Sequence, residues 1–283
     1  MHTLQGRRNE NEDRFVVEEL RPNLQMFAVF DGHGGSLAVD YCQAHMSEHL
    51  SYWLDRGEGD LQEVLKLAFM DINNSFSRFL YNNFSEAEGG EQSVLTGTTA
   101  TVCLLRGGIE LVVAHVGDSR ASLCREGASL RLTQDHEPEV AAERERIEKA
   151  GGRVVSSSLG KARVMGRLDM SRSIGDVDLK PYGVIAVPDT RSIAVKHGRD
   201  SYLVLTTDGI HKVLNSQEVV NLISSCNDPA EACRLLLDQA LMFGTEDNCT
   251  AVVVPFGAWG KYTGTGNVVN YALSRSLSSR HYT

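Results

Sequence analysis

No stretch of this sequence reaches the roughly 18 consecutive apolar residues that a membrane-spanning helix needs, so no membrane partner is expected. Nor is there a basic stripe of the kind a nucleic-acid surface requires, which removes nucleic acid as a partner. The chain carries 28 Lys and Arg against 37 Asp and Glu, a formal net charge of −9. Excess acid keeps a protein soluble or holds cations. No two of the six cysteines (Cys42, Cys103, Cys124, Cys226, Cys233 and Cys249) stand at CxxC spacing, which removes zinc knuckles and redox dithiols. Several lie in apolar runs, where a reduced core thiol suits a reducing compartment. No secretory leader is expected, so the N-x-S/T matches at Asn73, Asn83 and Asn248 read as chance. Met1–Arg8 is too short for a transit peptide. Internal repeats and linker-like stretches are missing too, and the length suffices for a large core.

What is present is organised around Phe27-Ala28-Val29-Phe30-Asp31-Gly32-His33-Gly34-Gly35. The run Leu24 to Phe30 is short, apolar and aromatic-rich, and predicts a buried strand. Asp31 is expected where the chain leaves the sheet, followed by glycines that let a ligand approach the backbone closely. A carboxylate, a bare carbonyl and an imidazole in three positions suit a hard cation and proton transfer. An ordinary tight turn has the same composition, so this stretch alone leaves both readings open.

Apolar spacing predicts helices over Ser36–Leu54 and Leu61–Leu80, with a polar loop at Ser85–Ser93. A hairpin is expected from Thr98–Leu105 and Ile109–Val116 around Arg106-Gly107-Gly108, then a strand Ala121–Cys124. Pro138 is expected to open a charged, solvated helix ending at Gly151-Gly152. Residues 153–187 read as an irregular insertion over one end of the sheet, long enough to be functional or mobile. Tyr202–Thr206 is a strand, Asn215 or Ser216 caps a helix, Pro229 opens another, and Thr250–Val254 is the final strand. Residues 1–254 are taken as one catalytic domain and 255–283 as a tail of that domain.

Asp31, Asp118 and Asp208 each follow a strand; Glu12, Asp13 and Asp247 each precede one. In antiparallel sheets one strand's exit lies beside its neighbour's entrance, so all six acids can gather at one end. Their repulsion in a partly buried cleft calls for cations. Oxygen ligands favour Mg²⁺ or Mn²⁺ over Zn²⁺, and four or more carboxylates suit two ions about 3.5–4 Å apart. Such a centre activates water for phosphoester hydrolysis.

These motifs occur together and in order: Gly6-Arg7-Arg8 with Glu12-Asp13, Asp31-Gly32-His33-Gly34-Gly35, Thr96-Gly97-Thr98-Thr99-Ala100, Gly117-Asp118-Ser119-Arg120, Ser171-Arg172-Ser173-Ile174-Gly175-Asp176, Thr207-Asp208-Gly209 and Glu246-Asp247-Asn248. The set resembles the metal-dependent, type 2C serine/threonine protein phosphatases over nearly the whole chain. The resemblance implies an α+β fold, an α/β/β/α sandwich of two antiparallel sheets flanked by helices. It implies Mg²⁺- or Mn²⁺-dependent hydrolysis of phosphoserine and phosphothreonine in proteins. Asp31 would be shared by two divalent ions, one also held by the Gly32 carbonyl and the other by Asp208 and Asp247. Glu12 and Asp13 would hold bound waters, and Asp118 with Asp208 a weaker third ion. Arg8 would grip the phosphate and His33 would protonate the departing oxygen, with no phosphoenzyme. Gly6–Phe15 and Ala251–Tyr262 look most like the branch of the family that acts on branched-chain α-ketoacid dehydrogenase. That implies a phosphoprotein substrate of this kind and the mitochondrial matrix, with the cytosol as alternative. Family members carry another strand before the Gly6 region, and here the chain begins almost at the motif.

Arg172 and Asp176 are candidates for lining the substrate groove, or for anchoring the insertion. His45-Met46-Ser47-Glu48-His49 matches H-x-x-E-H, a zinc peptidase pattern, but without a third ligand it reads as two surface histidines. A catalytically weak, phosphatase-like binding module is the non-enzymatic alternative. His136 and His211 are expected in solvated loops, and Trp53 and Trp259 in packing.

Overall fold

The structure is a computed structural model that describes residues 1–84, 95–156 and 160–263. The expected Ser85–Ser93 loop and the tail beyond residue 263 lie outside the described residues. Strands β1 (His2–Leu4), β2 (Asp13–Arg21) and β3 (Leu24–His33) lead to helices α1 (Leu37–Asp55) and α2 (Leu61–Asn83). Then come β4 (Gly97–Thr98), β5 (Ala100–Arg106), β6 (Glu110–Val116), β7 (Arg120–Arg125), β8 (Ala128–Arg131) and α3 (Ala141–Lys149). The 153–187 segment holds short strands β9 (Val154–Ser156), β10 (Ala162–Val164) and β11 (Ile174–Gly175). Last are β12 (Asp189–Ala194), β13 (Asp200–Thr206), α4 (Asp208–His211), α5 (Ser216–Ser224), α6 (Pro229–Met242) and β14 (Cys249–Pro255).

One antiparallel sheet runs β1-β14-β13-β7-β8; the other runs β11-β4-β3-β5-β6-β12, with β2 also on β3. Alternate side chains divide the core into layers. On β3, Met26, Ala28 and Phe30 face α1 and α2, while Phe27 and Val29 join Leu123, Leu203 and Val252 between the sheets. On β13, Tyr202 and Val204 pack instead under α5 and α6. This is the expected α/β/β/α sandwich. Strands buried on both faces explain the unbroken apolar runs. Each fully buried side chain contributes about 1.5–3 kcal/mol. The six cysteines are buried free thiols, and Trp53 and Trp259 pack against the helical layers.

Local chemistry sets the helix ends. Asp60 caps α2, Asn215 and Glu218 form a capping box on α5, and Asp228 caps α6 ahead of Pro229. Several expectations need correcting. Helix α3 starts at Ala141, not Pro138, because Val140 is extended at the cap position. Its face is not all solvated, since Glu143 and Ile147 are buried. The N-terminal residues do form an edge strand, with His2–Leu4 paired to Cys249–Ala251. Asp31 does not leave the sheet: β3 continues to His33 because Gly32 and His33 pair with Thr98 and Gly97. No helix among the described residues is long and apolar enough to cross a membrane.

Candidate active site

Strand register brings the acids together. Asp13 on β2 stands opposite Asp31 on β3, and the Gly32 amide donates to the Glu12 carbonyl at 3.0 Å. Asp31 is braced from the other side: its amide donates to Thr99 Oγ1 at 3.0 Å, and its carbonyl accepts from the Thr99 amide at 2.9 Å. Asp118 lies in the turn between β6 and β7, Asp208 opens α4, and Asp247 sits just before β14. Asn248 ties these parts to the N-terminal segment. It accepts from the Glu12 amide at 2.9 Å and donates to the carbonyls of Gln5 and Glu10 at 2.7 and 3.0 Å.

Arg8, Glu12, Asp31, Gly32, His33, Asp118, Asp208 and Asp247 line one cleft of about 360 Å³. Asp13 lies beneath it, 2% exposed, accepting a hydrogen bond from Thr207 Oγ1 at 2.8 Å. Burial, reinforced by Asp208, raises the Asp118 carboxyl to about 7, and burial raises Asp13 to about 7. Asp31 is pushed well above the carboxylate range by burial, then by Asp13, Asp208 and Asp118. Asp247 differs. Burial raises it, but the Arg8 hydrogen bond and Lys212 outweigh that and hold it low. Lys212, on the turn after α4, contacts Asp208 and reaches Asp247 at 3.2 Å; Arg8 meets Asp247 at 2.9 Å.

As placed, no three His, Cys, Asp or Glu side chains among the described residues form a set that holds a metal ion. Lys212 and Arg8 sit on Asp208 and Asp247 instead. The donors still suit a divalent cation: all are oxygens, they repel one another, and Asp118 Oδ1 is buried with no hydrogen-bond partner. His33 Nε2 lies 2.9 and 3.0 Å from the two oxygens of Asp176. Burial lowers the imidazole's pKa, and Asp176 more than offsets this, so the net shift is upward.

Arg172 is not in the cleft. It is bound at 2.6 Å to Glu143 and at 2.7 Å to Asp189, so its fork is already filled by carboxylates and it braces the 153–187 segment rather than meeting substrate. The arginines and lysine that do line the cleft from that segment are Lys161, Arg163 and Arg167. His136 is buried, 3% exposed, and stacked on His115, and its Nδ1 accepts from the Gly117 amide at 3.1 Å. His211 is partly buried, and burial, with Arg120, pushes its pKa down to about 3. Neither occupies a solvated loop. His45 contacts Glu48 at 2.9 Å, as a surface pair would. Lys212 escaped notice in the sequence; its signal was a lysine four residues after Asp208, one helical turn away.

The protein-family model described as Protein phosphatase 2C matches residues 1–249. "Protein phosphatase 1K, mitochondrial" of Xenopus laevis is 50% identical over 278 residues, covering 98% of this chain and 72% of that protein. "Protein phosphatase 1L" of Bos taurus is 33% identical over 269 residues, covering 90% of this chain and 71% of that one. Among solved structures, the serine-threonine phosphatase 2C from Toxoplasma gondii superposes with a TM-score of 0.80 at 23% identity, covering 90% of this chain and 93% of that one.

Proposed function

The chain belongs to the protein phosphatase 2C family, is a protein-serine/threonine phosphatase, and from that premise we propose how its residues work. The enzyme takes two divalent cations, Mn²⁺ or Mg²⁺, with a third and weaker site. Asp31, the Gly32 carbonyl, Asp208 and Asp247 would hold them. Glu12 and Asp13 would hold water there, and Asp118 with Asp208 would hold the third ion. When bound, the cations acidify water and neutralise phosphate charge.

The side chains supply the rest. Arg8, a planar fork at the cleft edge, moves from Asp247 to the substrate phosphate, which it grips through two N–H groups. Lys212 pairs with Asp208 and Asp247 and would have to release both for them to serve as ligands. His33 gives a proton to the serine or threonine oxygen as the P–O bond breaks. Residues 1–254 form the catalytic domain. The observation that carries this reading is the meeting of Asp31, Asp118, Asp208 and Asp247 at one cleft, each from a different part of the chain.

The substrate is a phosphoprotein of the branched-chain α-ketoacid dehydrogenase type, met in the mitochondrial matrix. The likeness of Gly6–Phe15 and Ala251–Tyr262 to that branch supports this, as does the 50% identical relative named as mitochondrial. Mn²⁺-dependent phosphate release from a phosphoserine peptide, with Asp208→Asn beside it, tests the mechanism. Loss of roughly 100-fold or more is expected, since even outer-shell partners of metal ligands are worth 10–100-fold. Equal activity in both proteins overturns the assignment. Imaging of the full-length product tests the location, and a diffuse cytosolic signal counts against the matrix.

A further inference from the structure

Asp176 is 2% exposed and points both carboxylate oxygens at Nε2 of His33. Much local structure serves that contact. The backbone of Asp176 stands at φ +47°, in the left-handed region. For a non-glycine residue this costs on the order of 1–2 kcal/mol and persists only where the surroundings over-determine it. Ser173 Oγ donates to Asp176 Oδ2 at 2.6 Å, and Lys180 Nζ donates to the Ser173 carbonyl at 2.7 Å. A Cβ on Gly97 would lie 2.2 Å from Asp176 Oδ2 and 2.5 Å from His33 Nε2, so the pair exists only because residue 97 is glycine. The three segments are held in step, since Gly97 pairs with His33 on one side and Gly175 on the other.

We propose that Asp176 is the positioning residue of the reaction: it fixes the His33 ring through Nε2 and leaves Nδ1 for the departing ester oxygen. Nδ1 is buried with no hydrogen-bond partner among the described residues. A polar nitrogen left so is costly, and a substrate oxygen would satisfy it. Which imidazole nitrogen can act is set by the bond the other makes. The proposal rests on the phosphatase reading above. As water's oxygen bonds phosphorus, the P–O ester bond breaks and its electron pair stays on the serine oxygen, which takes the Nδ1 proton. One water proton remains on phosphate and the other replaces the proton given by His33. Nε2 keeps its proton against Asp176 throughout.

The test uses leaving groups. With Mn²⁺ bound, wild type, Asp176→Asn, His33→Gln and the double variant are assayed on a phosphoserine peptide and on p-nitrophenyl phosphate. The serine oxygen needs a proton to depart; the nitrophenolate does not. Asp176→Asn is expected to lower kcat on the peptide by roughly 10–100-fold, part of the 10²–10⁴ that general acids contribute. KM on the peptide should stay within about twofold and kcat on the aryl ester within about threefold. The double variant should be no worse than His33→Gln alone, as residues acting through one another require. Equal losses on both esters, or additive losses, overturn the proposal. Should Asp176→Asn fail to fold, Ser173→Ala, which removes only the hydroxyl on Asp176 Oδ2, must give the same selective loss, and its absence overturns the proposal. Wild type inactive on both esters with metal would instead sink the phosphatase reading.

Discussion

Two of the places where charge is buried among the described residues are built on opposite principles. At the cleft, acids face acids: burial and repulsion lift Asp13 and Asp118 to about 7. Beneath the 153–187 segment, acids face bases. Glu143 accepts from Arg172, Arg146 and Ser171, which outweigh the effect of burial and bring it down to about 2. The second cluster is complete without help from outside. The first is not, and its deficit is of positive charge. Unsatisfied charge of one sign marks where a ligand belongs; satisfied charge marks where the fold is pinned.

The comparison breaks most visibly at Arg172. Arg172→Ala should destabilise the protein by about 3–5 kcal/mol, because Glu143 is left buried without its main partner. Urea unfolding measures this, and a loss below about 1 kcal/mol would mean the pair is not a pin. Acid probes the same cluster. Glu143 has a folded pKa below its usual 4.5, so its stabilisation is full above that pH and fades as pH falls towards 2. The amount is on the order of 3 kcal/mol, and acid titration of Glu143→Gln should lack it. At the cleft, Mn²⁺ at 100 times its Kd should stabilise the fold by about 2.7 kcal/mol. Asp31→Asn should abolish that gain while raising the metal-free melting temperature. Calorimetric scans read both, and an unchanged melting point with Mn²⁺ would show the acids need no cation. The smallest effect belongs to Lys212→Met. Its ammonium is half exposed, so removing this competitor should tighten Mn²⁺ binding only by about fivefold, roughly 1 kcal/mol, in titration calorimetry.

Much of this was legible in the sequence, and what was not has a physical reason. The gathering of acids followed from their places at strand ends, because antiparallel neighbours put those ends together. The sandwich itself came from the family likeness, since apolar runs alone do not say which face meets which layer. Arg172 misled because an arginine in a functional motif looks like a phosphate ligand; its true partners, Glu143 and Asp189, come from other parts of the chain. His136 and His211 have polar neighbours in sequence, but in space His136 stacks on His115, and His211 is partly buried near Arg120 and Asp135. The strand beyond Asp31 was hidden because Gly32 and His33 find their partners far along the chain at Thr98 and Gly97, and local patterning carries no trace of such pairing.

The clasp between the chain's two ends has one more consequence. Leu4 pairs with Cys249, Arg8 meets Asp247, and Asn248 holds the carbonyls of Gln5 and Glu10. A chain still emerging from a ribosome has made nearly every helix and strand before it owns Asp247 or β14. The cleft as described is therefore incomplete until Asp247 and β14 have been made and β14 has paired with β1.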